Sequence, residues 1–428
     1  MGKKEKNKKK ARGAEPMPGG RRRLWWGIGL IAVVVLSVFG WSRWDAEQTE
    51  KAAAEAHQQG DLLRGRGLLA AAAEAYGRAV RVKPSFAAAW SSLGIVSTMQ
   101  ERYEEAVAHF SRALELEGGL FEARIGMAIA HQNLGNFKKA EDSYQRALRL
   151  RPTSAEIYYN LGWLYHQEGL YEEAVRQYRQ AIELKPNFVQ ALGNLGRIYH
   201  LQEKLHEALE VYQKGIDLAP KDGELWLRFG WSHMVLGDHA RARDAYQRAM
   251  DLGVEHPRAF RDLGAISEGE GDLEGAKGYY QRAIQMEPEN GDSYYRMGSL
   301  IERMGEEERA VGLYLKATTL DPDHTSAYYN LARLYIKQGR REEGRRLMQV
   351  FQELKQFDKE LEERERAVAR RPGDSRTAYE LGMVYFERGR YQKALEMFKK
   401  IASRDPGFAP AREKVEQIGR GGIQRGEE

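Results

Sequence analysis

Residues 155–188 of the chain read AEIYYNLGWLYHQEGLYEEAVRQYRQAIELKPNF, and this stretch decides the fold. Its first part carries one helical face at the spacing i, i+3, i+4, i+7, formed by Tyr158, Leu161, Gly162 and Tyr165. Gly169 then interrupts the helix, and a second stripe follows at Tyr171, Ala174, Tyr178 and Ala181. Pro186 stops the second helix, because proline lacks the amide hydrogen that a helix interior needs. The stretch therefore predicts two short helices that pack as an antiparallel hairpin.

The same pattern returns along the chain at a constant step. Small residues occupy one column, at Gly60, Gly94, Ala128, Gly162, Gly196, Gly230, Gly264, Gly298 and Ala332. An aromatic column keeps the same step, at Tyr76, Phe110, Tyr144, Tyr178, Tyr212, Tyr246, Tyr280 and Tyr314. A fixed period of about 34 residues indicates stacked hairpins, since no hairpin buries its apolar stripe alone. We expect the small column to let two helix backbones approach closely, and the aromatic column to fill the space toward the next hairpin.

These columns resemble the tetratricopeptide repeat (TPR), through Tyr158-x-x-Leu161-Gly162-x-x-Tyr165 followed by Ala174, Tyr178, Ala181 and Pro186. Ten repeats start at residues 53, 87, 121, 155, 189, 223, 257, 291, 325 and 375. We number them one to ten and call the two helices of each repeat its first and second helix. The resemblance implies an all-α fold, a right-handed superhelical solenoid of helix hairpins.

The N-terminus has a different character from the repeats. Residues 1–23 contain ten Lys or Arg and two Glu, a net charge of +8, whereas the whole chain carries +5. The next segment, Leu24–Trp41, is uncharged and mostly apolar, with tryptophans at both of its ends. Its length is close to the roughly 20 residues that span a bilayer as a helix, and indole rings favour membrane interfaces. We predict a basic cytoplasmic tail followed by one transmembrane helix that precedes the solenoid.

A cleavable signal peptide is the competing interpretation of this segment. Such a peptide has a shorter apolar core and a small-x-small cleavage site, which Val38-Phe39-Gly40 matches poorly. A retained anchor explains both the length and the tryptophans. The excess of positive charge before the anchor predicts a single-pass inner (cytoplasmic) membrane protein, with the N-terminus cytoplasmic and the solenoid periplasmic or otherwise extracytoplasmic.

The remaining boundaries follow from the period and from composition. We predict a helical connector at 42–52, repeats one to nine at 53–358, a helical insertion at 359–374, repeat ten at 375–408, a capping helix at 409–418 and a disordered tail at 419–428. The insertion is inferred because an unbroken step would start repeat ten at residue 359, and it is read as a lengthened helix or as two helices with a bend. Its role is open between a solvated spacer and a dedicated contact surface.

The sequence offers little that could carry chemistry. It has no cysteine, which excludes disulfides and thiolate catalysis, and no Ser, His and Asp grouping stands out. His166 and His200 stand at equivalent places in adjacent repeats, but no third residue with metal-ligand spacing accompanies them. The basic tail has no aromatic residue on which a base could stack. We therefore expect no catalytic residue, no cofactor, no metal and no nucleic-acid partner.

The resemblance also implies where a partner binds. In TPR arrays the first helices line a groove, and ligand contacts cluster at the second, fifth, sixth, ninth and twelfth positions of those helices. Mapped onto this chain, these places give a predicted groove of Tyr159, Asn160, Trp163, His166, Asn194, Arg197, Arg228, Trp231, Tyr295, Arg296, Tyr329, Asn330 and Arg333, with His200, Leu227 and Tyr379 at further such places. Asparagines at the sixth position hold the backbone of an extended peptide in some related arrays. The alternative is that the aromatic members pack on neighbouring repeats.

The sequence thus predicts a membrane-anchored TPR scaffold that binds a protein or an extended peptide in an envelope assembly or maturation complex. The alternative is a regulatory or substrate-docking subunit of a membrane-associated enzyme complex. An enzyme in its own right is disfavoured, because no catalytic grouping is present. The partner's identity and the oligomeric state stay open.

Overall fold

A computed structural model describes residues 44–371 and 373–420 of the chain. Every regular element in these two ranges is a helix. The predicted basic tail, the predicted anchor Leu24–Trp41 and most of the predicted C-terminal tail lie outside the described residues. Within the described ranges, none of the helices combines the length and the apolar character that crossing a membrane requires.

The chain divides into two compact bodies, Met1–Leu164 and Tyr165–Glu428. The described part of the N-terminal body begins with a helix at residues 44–65 (α1). It continues with α2 Leu69–Val82, α3 Ala87–Met99, α4 Tyr103–Leu116, α5 Phe121–Asn133, α6 Phe137–Leu150 and α7 Ala155–Gln167, whose sequence contains the border. Because α1 is continuous, the predicted connector, from residue 44 onward, and the first helix of repeat one form a single element.

The C-terminal body continues the same alternation of first and second helices. Its helices are α8 Tyr171–Leu184, α9 Val189–Leu201, α10 Leu205–Leu218, α11 Gly223–Val235, α12 His239–Asp251, α13 Pro257–Gly269, α14 Leu273–Met286, α15 Gly291–Arg303, α16 Glu307–Leu320, α17 Thr325–Lys337, α18 Arg341–Arg370, α19 Ser375–Glu387, α20 Tyr391–Arg404 and α21 Ala409–Arg420. The odd-numbered helices up to α19 are the first helices of the repeats. The even-numbered ones are the second helices.

The turn inside each of the ten hairpins contains one residue in the left-handed region of backbone space. Gly169 has φ +71°, and Gly271 holds the equivalent turn of repeat seven with φ +85°. Glycine adopts this conformation without the steric cost that a Cβ imposes, and it ends a helix for that reason. Repeats two and five place Glu101 and Glu203 there, with φ +61° and +59°.

The glycine column faces aromatic rings, which differs from the expected contact between backbones. A Cβ built on Gly264 would lie 2.4 Å from the ring of Tyr280, and one on Gly94 would lie 2.6 Å from the ring of Phe110. Both rings belong to the second helix of the same repeat, and both are buried. The aromatic ring therefore fills the space between the two helices of its own hairpin. The glycine leaves that space free, because it has no Cβ.

Repeat nine lacks both the glycine of the small column and the aromatic residue of the second helix. Here Ala332 stands in the small column, and Met348 replaces the aromatic residue of the second helix. Gly344 takes over the close approach, since a Cβ on it would lie 2.8 Å from the carbonyl oxygen of Ala332. This repeat therefore has the close backbone approach that the sequence suggested, but at a glycine of the second helix.

The predicted insertion is part of one uninterrupted helix of 30 residues, α18, which begins as the second helix of repeat nine. Leu361 and Val368 of its C-terminal half pack against the core of repeat ten. The turn of repeat ten also contacts the end of repeat eight, in the loop before α17, because Arg390 donates from Nε and Nη2 to Oδ2 of Asp323 at 3.0 and 2.9 Å. The apolar stripe of the insertion is thus used within the chain, and α21 covers the end of this core with Ile418.

Candidate peptide-binding groove

The predicted groove residues all lie on first helices, with Tyr159, Asn160 and Trp163 in the N-terminal body and the other ten in the C-terminal body. Arg197, Tyr329 and Arg333 are exposed, and His166 is buried. The others are half-buried: Tyr159, Asn160, Trp163, Asn194, Arg228, Trp231, Tyr295, Arg296 and Asn330. Half-burial lets a side chain pack on its own repeat and still present atoms to a partner.

Two of the predicted residues line a cavity of about 290 Å³ on repeats seven and eight. Glu268, Tyr280 and Arg303 line the same cavity as Tyr295 and Arg296. The ring of Tyr295 also packs on the residue that caps α17, because its centroid lies 4.5 Å from that of His324. The cavity therefore has an aromatic wall of fixed position beside charged and hydroxyl groups.

Arg296 is paired with a carboxylate of its own helix. Its Nε donates to Oδ2 of Asp292 at 2.8 Å. Burial alone would raise the pKa of Asp292, but hydrogen bonds from His324 and Arg296, with the positive charges of Arg296 and Arg261, lower it to about 2. Asp292 is thus the centre of an ionic cluster contributed by two successive repeats, seven and eight.

A column of glutamates at the twelfth position was missed by the sequence analysis. The hydroxyl of Tyr280 donates to Glu268 at 3.1 Å, and that of Tyr314 donates to Glu302 at 2.9 Å. Burial, and next the neighbouring carboxylate, raise the pKa of both tyrosines. The signal was present, since Glu268 and Glu302 are separated by one repeat period in the sequence.

These glutamates engage two arginines of the following first helices. Arg303 pairs with Glu268 at 2.5 Å, and Arg333 pairs with Glu302. Asn330 also turns to this column, because its Nδ2 donates to the hydroxyl of Tyr314 at 3.1 Å. In repeats eight and nine, the polar members of the predicted groove are therefore already bonded within the chain.

Trp231 packs on the next repeat. Its ring centroid lies 5.1 Å from that of His256 in an edge-on arrangement, and the guanidinium of Arg258 lies 5.3 Å from its centroid. Its indole Nε1 is buried and has no hydrogen-bond partner among the residues that the structure describes. The side chain thus contributes to the core of repeats six and seven. This agrees with the alternative interpretation of the sequence, in which the aromatic residues pack on neighbouring repeats.

His166 is buried, and the positive charges of two arginines act on it. Burial lowers the pKa of His166, and the positive charges of Arg197 and Arg228 lower it further. The same physical causes, burial first and then the charge of Arg258, lower the pKa of His200, whose Nδ1 lies 3.0 Å from Oγ of Ser232. Burial and the neighbouring positive charges therefore both favour the neutral form of these two imidazoles. In the two described ranges, no three or more His, Asp or Glu side chains are arranged to hold a metal ion.

Comparison with solved structures finds a PilF protein from Pseudomonas aeruginosa at 22% identity, covering 47% of this chain and 92% of that one, with a TM-score of 0.43. YrrB, described as a TPR protein with an unusual peptide-binding site, has 19% identity, coverages of 56% and 97%, and a TM-score of 0.35. A TPR protein from Cytophaga hutchinsonii has 15% identity, coverages of 56% and 99%, and a TM-score of 0.48. None of the three carries weight for the function of this chain.

Sequence models of the tetratricopeptide repeat match the chain at residues 57–119, 119–187, 168–223, 227–291, 268–325, 313–346 and 375–408. Together they cover about three quarters of the chain. A comparison with curated protein sequences gives no match.

Proposed function

Because the chain belongs to the tetratricopeptide repeat family, we propose that it is a membrane-anchored scaffold that binds a protein or an extended peptide on its first helices. In this proposal Leu24–Trp41 is a single transmembrane helix, and the repeats form a right-handed superhelix on the extracytoplasmic side. The scaffold has no catalytic activity of its own and serves an envelope assembly or maturation complex.

The observation that supports binding is that the first helices carry exposed side chains in addition to those that pack in the core. The core is closed by small and aromatic residues such as Ala276 and Tyr280, which are completely buried or nearly so. The first helices additionally carry aromatic and guanidinium groups that remain partly open to solvent, such as Tyr329, which packs on Phe351 and is still 43% exposed. Exposed aromatic rings, together with a cavity that holds fixed polar groups, are typical of a binding surface.

Photo-crosslinking tests the binding surface. Tyr329 is replaced by p-benzoylphenylalanine in the full chain, and cells are irradiated before the membranes are solubilised. The matched control is the same replacement of Tyr391, a tyrosine of similar exposure that begins a second helix. We expect a defined crosslinked partner from position 329 and none from position 391. Equal crosslinking at both positions, or none at position 329, would refute binding on the first helices.

Reporter fusions test the topology. The motivation is the +8 charge of residues 1–23 before the apolar segment Leu24–Trp41. A reporter active only in the periplasm should be active when fused after Glu428, and a reporter active only in the cytoplasm should be inactive there. The opposite pair of results contradicts the orientation. A mature protein whose N-terminus lies near residue 41 contradicts the retained anchor.

A further inference from the structure

The first hairpin turn of the C-terminal body is in contact with the last repeat of the same body. A Cβ built on Gly169, in the turn of repeat four, would lie 3.0 Å from Nζ and 3.6 Å from Cε of Lys400, in the second helix of repeat ten. Gly169 is half-buried, whereas the other turn glycines with a left-handed conformation are exposed. Among those that the structure describes, none of the others has an atom of another repeat within 4 Å. The contact is therefore particular to repeats four and ten.

A cavity of about 870 Å³ lies at this contact. The turn of repeat four contributes Glu168, Gly169, Leu170 and Glu172 to its lining. The rest of the lining comes from repeat ten and from the end of α18 that leads into it, and no residue between 173 and 367 takes part. The cavity thus joins two segments that are separated along the chain by the whole of repeats five to eight.

The long helix α18 separates repeat ten from the regular stack. It has 30 residues, whereas the second helices of repeats four and eight, α8 and α16, have 14 each. The additional residues carry the chain about 24 Å further along the helix axis before repeat ten begins. Val368, near the end of α18, lines the cavity. The insertion therefore ends at the contact with repeat four.

The first helices lie on the concave side of the stack that connects the two segments. Successive first helices α9, α11, α13 and α15 contact one another, whereas the described second helices make comparable contacts only with first helices. A stack of hairpins curves toward the layer whose members lie closer together. A partner segment on the first helices therefore lies inside the stack that the contact between repeats four and ten closes.

The contact is made largely by charged side chains. The cations that line the cavity all belong to α20, and they are Lys393, Lys400 and Arg404. Carboxylates come from both segments, with Glu168 and Glu172 in the turn of repeat four, Glu396 on α20 and Asp374 before α19. Opposite charges therefore meet across the two segments, and the cations are exposed. Pairs of exposed charges contribute little energy, about 0–1 kcal/mol each.

Apolar packing adds little to the contact. Leu170, at the turn of repeat four, is 41% exposed although it lines the cavity. The apolar core of repeat ten is formed by residues of α18 and of the segment that follows it, and it includes no described residue of repeat four. The contact between repeats four and ten is thus much weaker than the packing that holds repeat ten to α18.

We propose that residues 168–172, in the turn of repeat four, and α20 form a latch. The latch closes the C-terminal body around its first helices, and it opens to admit an extended segment of a partner protein. The proposal rests on the proposed function, since it describes how the partner segment reaches the first helices. A segment inside the closed body leaves only when the latch opens or by sliding along its own length, so that closure prolongs binding as other lids do.

Distance measurements between two spin labels test whether the latch opens. The sequence has no cysteine, so the introduced cysteines are the only sites of labelling. Glu183→Cys and Gln392→Cys place nitroxide labels at exposed positions of α8 and α20 that do not line the cavity. Double electron–electron resonance is recorded on the full chain in nanodiscs. We expect a short distance at low salt and an additional longer one at high salt, because exposed charges are screened beyond about 10 Å at 0.1 M salt.

Reversing one charge of the latch should favour the open form. Lys400→Glu should raise the ratio of open to closed chains about fivefold, because it replaces an attraction across the contact by a repulsion. The matched control is Lys399→Glu, the same change at the next residue of α20, which is exposed and does not line the cavity. The control should leave the ratio within about twofold, as surface substitutions away from contacts do. Circular dichroism melting should be alike for the two variants, because neither lysine is a core residue.

A reversible lock tests whether opening admits the partner. Glu172→Cys and Lys400→Cys are joined by a reducible bis-methanethiosulfonate linker in the purified full chain, which carries p-benzoylphenylalanine at position 329. The chain is mixed with solubilised membranes of cells that lack it and is then irradiated. We expect the crosslinked partner to be lost from the locked chain and to return after reduction. The control is Glu172→Cys alone, treated with the same linker, which should crosslink like the unsubstituted chain.

The latch is refuted if Lys400→Glu gives the same distances between the labels as Lys399→Glu does. It is also refuted if the locked chain captures the partner as efficiently as the reduced chain. The proposed function fails separately, if position 329 gives no crosslink in either state; the admission of a partner then fails with it, even where the distances show that the contact opens. A crosslink that ignores the lock removes the latch alone and leaves the scaffold in place.

Discussion

Replacing Gly264 by leucine tests the contact between the glycine column and the aromatic ring. A Cβ at this position would lie 2.4, 2.6 and 2.9 Å from three ring carbons of Tyr280. The ring cannot move aside to accommodate this Cβ, because Tyr280 is 1% exposed and its hydroxyl donates to Glu268 at 3.1 Å. Alanine is too mild a probe, since Ala128 stands at the equivalent place opposite Tyr144 in repeat three. Leucine adds three further carbons that the hairpin has no space for.

The expected cost is the sum of three effects. Overpacking a core typically costs about 1–3 kcal/mol. Losing the hydrogen bond of Tyr280 to Glu268 costs about 1 kcal/mol more. The better helix propensity of leucine returns about 0.8 kcal/mol. We therefore expect a net destabilisation of about 2 kcal/mol, which corresponds to a Tm about 4–8 °C lower for a body of this size.

Thermal melting of the full chain, followed by circular dichroism at the helix band, is the assay. Gly278→Leu is the matched control, because Gly278 lies in the second helix of the same repeat and a Cβ there would meet nothing within 4 Å. The control should stabilise the protein by about 0.5–1 kcal/mol through helix propensity. If Gly264→Leu melts at or above the temperature of the unsubstituted chain, the ring of Tyr280 does not occupy the space assigned to it.

Three other outcomes follow from the described contacts. The pKa of Asp292 is lowered to about 2, so its ionised form stabilises the fold above the unfolded-state pKa of about 4 and this contribution is lost as pH falls toward 2. Asp292→Asn should therefore flatten the dependence of Tm on pH below about pH 5, and an unchanged slope would contradict the cluster. Trp231→Ala should cost about 2 kcal/mol of stability, because the indole ring packs against His256 and the neighbouring core. An unchanged Tm would contradict this packing and would mean that Trp231 is available to a partner. Arg390→Ala should cost about 1 kcal/mol and speed hydrogen exchange in α19, since it leaves Asp323 unpaired; unchanged exchange would mean the contact does not hold repeat ten.

The repeat pattern predicted the hairpins well because the signals that end a helix are local. The turn at Gly169 and the stop at Pro186 act within a few residues, and α8 Tyr171–Leu184 lies between them as expected. The resemblance to TPR proteins is confirmed by the matching repeat models. The anchor at Leu24–Trp41 and the cellular location stay predictions.

The period also placed the groove residues on the first helices, since position within a repeat determines which helix carries a side chain. It could not say which of them are available to a partner. Arg333 pairs with Glu302 of the preceding repeat, and Arg261 donates to Glu287, which lies beyond the second helix of its own repeat. Such pairs depend on how neighbouring helices present their side chains to one another, and no local pattern encodes that distance.

The chain by itself therefore determined the number of hairpins, their boundaries and the face that carries polar groups, because helix propensity, turn residues and periodicity are properties of short segments. Only the tertiary structure decided that the glycines accommodate rings, that α18 is one helix, and that Arg303 and Arg333 are paired with glutamates of the preceding repeat. The physical reason is that steric fit and charge compensation depend largely on contacts between different helices and different repeats. Their distances are set by how one repeat packs on the next, which the residues of a single short segment do not specify.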